Sequence, residues 1–156
     1  MSFTFFKPLP SDIKQMQELV LEDVENGNIL VRDESEMATT IRSYTAVKNG
    51  DNIIGFVALH IHTVILAEVR SLVIKKDFRG QGLGKKLIEK TLDEANKLQL
   101  KELLVLTYKA ALFEKYGFNI IDKESIPNPK IWADCIKCKH FPRCDEIALL
   151  KSLETI

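Results

Sequence analysis

A basic, glycine-rich turn at residues 77–86 contains the residue types best suited to binding an anion. Its glycines alternate with other residues, at Gly80, Gly82 and Gly84. Glycine lets backbone N–H groups approach an anion without a Cβ atom in the way, and a helix that begins at such a turn adds the positive end of its dipole. Arg79, Lys85 and Lys86 supply positive side chains. The turn is therefore predicted to bind a pyrophosphate group.

Two well-known phosphate loops do not match this turn. The Walker pattern requires a glycine at position 79 and a hydroxyl residue at position 86, where Arg79 and Lys86 stand. The dinucleotide pattern requires a third glycine at position 85, where Lys85 stands. The pattern that matches is Arg-x-x-Gly-x-Gly, formed by Arg79, Gly82 and Gly84. In this respect the turn resembles the acetyl-CoA signature of the Gcn5-related N-acetyltransferases, the GNAT superfamily.

The order of elements around the turn strengthens this resemblance. A long apolar strand precedes the turn, and a short helix ending in Gly117 and Phe118 follows later in the chain. The resemblance implies an α/β fold, with a mixed central sheet flanked by helices, and acetyl-CoA as the cosubstrate. It also implies that backbone N–H groups of the strand, together with the turn, bind that cosubstrate. The residues concerned are Leu72, Val73, Ile74, Arg79, Gly80, Gln81, Gly82, Leu83, Gly84 and Lys85.

Two charged residues lie on the strand that precedes the turn. Because side chains alternate between the two faces of a strand, Glu68 and Arg70 are predicted to share one face with Leu72 and Ile74. One interpretation is a structural ion pair at a solvated sheet edge, or pairing with other strands. The other is that Glu68 acts as a general base, directly or through water, because an ammonium group must lose a proton before it can attack a thioester.

Hydrophobic periodicity and turn signals predict the elements that position these residues. Strands are predicted at residues 3–7, 44–48, 53–61, 65–74, 103–106, 120–121 and 146–153. Helices are predicted at 11–26, after Asp33, after the glycine turn and at 110–116. The helix after the turn has apolar residues on one face, at Leu83, Leu87, Ile88, Leu92 and Ala95. The resulting order, β-α-α-β-β-β-α-β-α-β-β, is that of the superfamily.

Length and composition suit a compact enzyme. The chain has 156 residues and 46% hydrophobic content, which predicts a single domain over residues 1–156. Its 22 basic and 22 acidic residues cancel, so net charge does not indicate nucleic acid or an anionic membrane as a partner. No signal peptide or membrane span is recognised, and three cysteines suit a reducing compartment. We expect a cytoplasmic protein that acts on a small molecule; a homodimer is left open.

A narrower resemblance rests on five segments taken together. They are ILVR at 29–32, AEVRSL at 67–72, VLTY at 105–108, FEKYGF at 113–118, and 132–146, which begins WADCIKC. In these segments the chain is similar, from residue 3 to residue 150, to the acetyltransferase domain of the N-acetylglutamate synthases, which open arginine biosynthesis.

This second resemblance implies direct transfer of an acetyl group, in a ternary complex, to the α-amine of L-glutamate. In that family the glutamate matching Glu68 is the base, and the arginines matching Arg32 and Arg143 hold the substrate carboxylates. Arg70 is expected to orient them as well. Arginine suits this role because it can bind a carboxylate through two hydrogen bonds. Long synthases also carry a kinase-like domain that binds arginine, and we expect this chain to be a short form without it.

One position departs from the superfamily pattern. Many members have a tyrosine four residues before the glycine of Gly-Phe, as general acid for the leaving thiolate, and Phe113 stands there. Tyr108, at a strand end facing the expected cleft, is the candidate replacement, ahead of Tyr116. The alternative is that no acid is needed, since a thiol with a pKa near about 8.5 leaves tolerably as a thiolate.

Cysteine and histidine residues raise the question of a metal site. Late in the chain are Cys135, Cys138, His140 and Cys144. Such ligands can bind zinc, but this spacing makes a cramped site. We therefore predict no metal, and the cysteines are instead small buried hydrophobes or a redox-sensitive patch. His60 and His62 are interpreted as ordinary strand residues.

Two alternative functions are kept beside glutamate acetylation. The first is transfer to another amino acid, a polyamine or a protein N-terminus. A cationic acceptor should require acidic pocket residues, whereas the candidates here are arginines. The second is a non-catalytic CoA-binding or redox-sensing module, which would tolerate loss of the Glu68 carboxylate.

Overall fold

The computed structural model of the chain describes residues 2–21, 32–126 and 146–153. In these ranges seven strands form one sheet, in the order β1-β2-β3-β4-β5-β7-β6. The strands are β1 (Phe3–Phe6), β2 (Tyr44–Asn49), β3 (Asn52–Ile61), β4 (Leu66–Ile74), β5 (Glu102–Thr107), β6 (Asn119–Ile121) and β7 (Ile147–Ser152). The α-helices are α1 (Ile13–Leu19), α2 (Glu34–Thr39), α3 (Leu83–Lys97) and α4 (Ala110–Glu114). Short 3-10 turns occupy Pro10–Asp12, Ile41–Ser43, Lys76–Phe78 and Lys123–Ser125.

The sheet is mixed. Neighbouring strands pair antiparallel except β4 and β5, which are parallel and are joined by α3, as a parallel crossover requires. A tight hairpin joins β2 to β3 through Gly50, whose φ of 64° suits glycine. The predicted class, an α/β fold with a mixed sheet flanked by helices, is confirmed.

Helices cover both faces of the sheet. The predicted apolar face of α3 is buried at Leu83, Leu87, Ile88 and Ala95, while Leu92 is partly buried. On the other face, α1 and α2 bury Ile13, Met16 and Met37 against Ala46, Phe56, Ala58 and Val73. Each fully buried large apolar side chain contributes about 1.5–3 kcal/mol. No helix in the described ranges is long and apolar enough to cross a bilayer.

Strand β4 contains a bulge near its carboxyl end. Val73 pairs with Phe56 and Arg70 pairs with Ala58, so β4 has one more residue than β3 in this interval. Ser71 lies in the bulge with a φ of 55°, a left-handed conformation that costs a residue other than glycine about 1–2 kcal/mol. The bulge is thus a strained point on the strand that precedes the glycine turn.

The bulge corrects the predicted distribution of side chains on β4. Leu72 and Ile74 do not share the face of Glu68 and Arg70, because they pack with the core cluster under α3. Val73 lies on the Glu68 face instead, in the cluster under α1 and α2. The reason is the extra residue, since a shift of one residue exchanges the two faces of a strand.

The parallel strands β4 and β5 separate toward their carboxyl ends. Residues 66–69 pair with 102–105, after which β4 continues along β3 and β5 continues along β7. The bulge lies just after Val69, the last residue of β4 that pairs with β5. Backbone polar groups that leave a ladder need other partners. The opening between the two strands is therefore suited to an extended ligand that pairs with main chain.

Gly55 on β3 faces β4 directly after the bulge, opposite Ile74. A Cβ atom added to Gly55 would lie 2.8 Å from the carbonyl oxygen of Val73 and 2.7 Å from Cδ1 of Ile74. Because backbone must then move, we expect Gly55→Ala to lower the free energy of unfolding by about 1–3 kcal/mol, measured by urea denaturation.

The matched control for Gly55 is Gly84→Ala in the first turn of α3. No atom lies within 4 Å of the added Cβ there, and alanine favours the helix by about 0.5–1 kcal/mol. Equal stability of the two alanine variants would contradict the close approach of β3 to β4 at Val73 and Ile74.

Candidate active site

Glu68 lies on the sheet face opposite α3 and is only 4% exposed. Its Oε1 accepts a hydrogen bond from Nε of Arg70 at 2.8 Å and lies 2.9 Å from Nε2 of His62. A buried carboxylate requires such partners, because an unpaired buried charge is costly. The site therefore holds a carboxylate in a fixed position on the central strand.

His62 is a contact that the sequence interpretation missed. It lies one residue beyond the end of β3, and its ring contacts Glu68. His62 is therefore not the ordinary strand residue that the sequence analysis predicted. His60 is the register partner of Glu68, which makes His62 the diagonal neighbour of that carboxylate. The predicted strand ends at 61 and 65 imply a register that pairs Glu68 with Ala58, so the contact with His62 was not predictable from them.

A second row of side chains crosses the same face beside Glu68. Tyr44 on β2 pairs with Ala58 on β3, which pairs with Arg70 on β4. Burial raises the pKa of the Tyr44 phenol above its usual value of 10, while the charges of Arg32 and Arg70 oppose that shift. The charges of both guanidinium groups therefore act on this part of the face.

Each of these two arginines already has a carboxylate partner. Nη1 of Arg32 donates to Oε2 of Glu36 at 3.0 Å, one turn further along the chain at α2. The Arg32 carbonyl accepts a hydrogen bond from the side chain of Gln17 on α1, which places the residue between two helices. Arg70 is paired with Glu68. Each of the two arginines is thus charge-balanced by its own glutamate.

The glycine turn lies at the carboxyl end of β4. Gly80 and Gly82 have φ values of 81° and 79°, and α3 begins directly after them, so its first N–H groups have no partner within the helix. Nε of Arg79 donates to the carbonyl oxygen of Ile74 at 2.9 Å, which ties the turn to the strand. Lys85 is exposed. The turn thus has the backbone conformation and the charge predicted for a pyrophosphate site; the binding role of each residue is still a prediction.

The remaining predicted residues lie around α4 or outside the described ranges. Tyr108 follows β5 and is 43% exposed. Phe113 is buried and packs edge to face on Phe118, with Tyr116 partly buried against the same cluster. Arg143 and the segment 135–144 with its cysteines lie outside the described residues. In the described ranges, no group of three or more His, Cys, Asp or Glu side chains is arranged to hold a metal ion.

Comparison with known proteins places this arrangement in a family. The model of the acetyltransferase (GNAT) domain family matches residues 40–120, a range that contains Glu68, the bulge and the glycine turn. An uncharacterized N-acetyltransferase from Chlorobaculum tepidum is 36% identical over 127 residues, which are 81% of this chain and 81% of that protein. The chain belongs to the GNAT acetyltransferases. The predicted superfamily, the enzyme class and acetyl-CoA as the cosubstrate are therefore confirmed.

More distant relatives of this GNAT acetyltransferase are amino-acid acetyltransferases. One from Mycobacterium tuberculosis is 28% identical over 118 residues, covering 72% of this chain and 66% of the relative. Another, from Aeromonas salmonicida, is 26% identical over 118 residues, covering 74% of this chain but only 27% of the relative. The GNAT acetyltransferase thus matches only part of these relatives.

Solved structures resemble the GNAT acetyltransferase over nearly all of its length. The N-acetylglutamate synthase from Neisseria gonorrhoeae, complexed with coenzyme A and N-acetyl-glutamate, has a TM-score of 0.86 at 18% identity, covering 99% of this chain and 36% of that one. Rv2747 from Mycobacterium tuberculosis, in complex with CoA, has a TM-score of 0.81 at 19% identity, covering 97% and 99%. At these identities the likeness concerns the fold.

Proposed function

We propose that this GNAT acetyltransferase transfers the acetyl group of acetyl-CoA to the α-amine of a free amino acid, with L-glutamate as the preferred acceptor. The observation that carries the proposal is a buried carboxylate, Glu68, that is hydrogen-bonded to Arg70 on a face where the charge of Arg32 also acts on Tyr44. An amino acid requires this combination, because its amine must lose a proton while its carboxylates are held. The amino-acid acetyltransferases among the relatives support the same class of acceptor.

In the proposed reaction, Glu68 removes one proton from the ammonium group, directly or through water. The neutral amine attacks the thioester carbon, the C–S bond breaks, and the acetyl group remains on nitrogen as an amide. The second proton lost by the nitrogen ends on the CoA sulfur, and Tyr108 is the proposed carrier. The first proton passes from Glu68 to solvent, which returns the base to its starting state.

The bulged end of β4 and the glycine turn hold acetyl-CoA in this proposal. Backbone N–H groups at Leu72, Val73 and Ile74 bind the thioester oxygen and the pantetheine arm, as the departure of β4 from β5 supports. Oxyanion stabilisation by such donors contributes about 10²-fold to 10³-fold in rate. The turn at residues 79–85 binds the pyrophosphate through main-chain amides and positive side chains.

The acceptor carboxylates bind by joining or replacing the present partners of the arginines. Arg32 is held by Glu36, whose side chain is 29% exposed and therefore within reach of water and of a ligand. A guanidinium group has five N–H donors, so Arg32 can hold Glu36 and a substrate carboxylate together. Arg143 is a further proposed ligand of the acceptor.

The acceptor is tested by measuring thiol release from acetyl-CoA with a panel of free amino acids. One charged hydrogen bond contributes about 1.5–3 kcal/mol, so kcat/KM for glutamate should exceed that for leucine and lysine by about tenfold or more. If leucine or lysine reacts as fast as glutamate, the arginines do not select an acceptor with a side-chain carboxylate. Because the two arginines are charge-balanced, a neutral acceptor such as glutamine is the second candidate, and equal rates for glutamine and glutamate would favour it.

Removal of the Arg32 guanidinium should weaken acceptor binding selectively. We expect Arg32→Gln to raise KM for glutamate by about 10-fold to 100-fold, the loss of one charge-assisted hydrogen bond, while KM for acetyl-CoA stays unchanged. The matched control is Arg42→Gln, which removes the same charge from an exposed position in the turn before β2. If both variants have the same KM for glutamate, Arg32 does not bind the acceptor.

A further inference from the structure

Two donors of different character share one oxygen of Glu68. Nε of Arg70 donates to Oε1 at 2.8 Å, and Nε2 of His62 lies 2.9 Å from the same atom. A carboxylate only accepts hydrogen bonds, so Nε2 of His62 carries a hydrogen in this contact. Arginine keeps its charge at every working pH, whereas histidine changes charge between about pH 5 and 8. Of the two contacts, only that of His62 therefore changes with pH.

His62 is held in place and lies nearer to solvent than Glu68. Its backbone N–H donates to the carbonyl of Leu66 at 2.9 Å, and its ring packs edge to face on that of His60, with centroids 4.7 Å apart. The His62 side chain is 13% exposed, against 5% for Glu68. The imidazole can therefore exchange protons with water while it contacts a carboxylate that is almost fully buried.

We propose that His62 is a positioning residue for Glu68 and that protonation of His62 weakens Glu68 as a base. The inference rests on the proposed role of Glu68 in the function given above. Neutral His62 holds Oε1 through its N–H, beside the positive charge of Arg70. When Nδ1 of His62 takes a proton, a second positive charge lies beside Oε1. Opposite charges stabilise the ionised carboxylate, which then takes the proton of the acceptor ammonium group less readily.

The charged and titratable side chains on and beside this face come from four strands and from the start of α2 in the described part of the chain. Tyr44 lies on β2, His60 on β3, Glu68 and Arg70 on β4, and Glu102 on β5, while Arg32 and Glu36 lie at α2. Of these, His60 is of the same residue type as His62 and contacts its ring. His60 must therefore be substituted separately.

The experiment measures kcat/KM against pH, between about pH 5.5 and 8.5, for the unaltered enzyme, His62→Gln and His62→Ala. The acceptor is whichever amine in the panel reacts fastest. Glutamine keeps an N–H donor near the place of Nε2 but does not titrate. We expect His62→Gln to match the unaltered enzyme at the alkaline end and to exceed it by about threefold to tenfold at the acid end. Taking the ratio of the two enzymes cancels ionisation of the acceptor. His62→Ala lacks a donor and should be slower at every pH.

The controls keep the two proposals separate. A ratio of His62→Gln to the unaltered enzyme that stays constant across the pH range would overturn the role of His62. So would loss of the acid limb in His60→Gln but not in His62→Gln. Glu68→Gln is measured in the same series. Full activity of Glu68→Gln would contradict the proposed role of Glu68 as the base. If Glu68→Gln is inactive but the ratio of His62→Gln to the unaltered enzyme stays constant with pH, only the inference about His62 is contradicted. Affinity for acetyl-CoA confirms that each variant is folded, and His62→Gln decides the test if His62→Ala does not fold.

Discussion

Glu68→Gln is expected to lower kcat for acetyl transfer by about 10²-fold to 10⁴-fold, the usual contribution of a positioned general base. Glutamine has nearly the shape of glutamate and keeps an oxygen that can accept the hydrogen bond of Arg70, but it cannot take the proton of an ammonium group. Glu68 lies near the start of β4, and the glycine turn follows the end of that strand. Affinity for acetyl-CoA should therefore change little. Thiol release measures turnover, and calorimetry with CoA measures binding.

Asp93→Asn is the matched control for Glu68→Gln, because it removes one carboxylate from an exposed position on α3. It should leave kcat unchanged. Full turnover in Glu68→Gln would show that this carboxylate is structural, the first interpretation given to the Glu68–Arg70 pair. Loss of CoA affinity in Glu68→Gln would show that the substitution disturbs the whole site and would contradict the separation of base and cosubstrate along β4.

The fold was largely predictable because its elements follow simple periodicities. Strands β3 and β4 begin within one residue of their predicted first residues and end at their predicted last residues. The turn at Gly50 has the residue type that its positive φ requires. The apolar face of α3 was predictable because five apolar positions recur at helical spacing and the residues between them are mostly charged. Local patterns of this kind depend only on neighbours in sequence.

The bulge was not predictable from those patterns. Nothing in the apolar run from Leu72 to Ile74 indicates where one residue leaves the ladder, and Ser71 is not a residue that favours a left-handed φ. The approach of Gly55 on β3 is a tertiary contact, so its signal lies in another strand. Simple alternation therefore assigned Glu68 and Arg70 correctly to one face but failed for every residue after the bulge.

The candidate site was predictable in its residue types more than in its contacts. Glu68, Arg70 and Arg32 were identified from strand position and from the resemblance, and in the structure the charges of Arg32 and Arg70 both act on the phenol of Tyr44. The partner of Arg32, Glu36, was not identified, although spacing of four residues on a helix is a recognised signal for an ion pair.

Arg70→Met is expected to lower the free energy of unfolding by about 3–5 kcal/mol, because it leaves the buried charge of Glu68 without its guanidinium partner. The side chains of Arg70 and Glu68 are 11% and 5% exposed, so water can replace the lost contact only poorly. The exposed pair Lys7–Glu94 is the matched control, with a similar distance of 3.1 Å but side chains 47% and 31% exposed. Lys7→Met should cost less than about 1 kcal/mol. Urea denaturation measures both variants.

The double variant Arg70→Met/Glu68→Gln decides whether the cost in Arg70→Met comes from an uncompensated charge or from lost packing. If the charge is responsible, neutralising Glu68 restores stability, and the double variant should be more stable than the sum of the two single changes by about 0.5–3 kcal/mol. Lost packing around the arginine stem would persist in both backgrounds and make the two changes additive. Additive costs would therefore show that Arg70 stabilises the sheet through its hydrocarbon stem. In that case His62 and the other contacts of Glu68 suffice to stabilise its buried carboxylate.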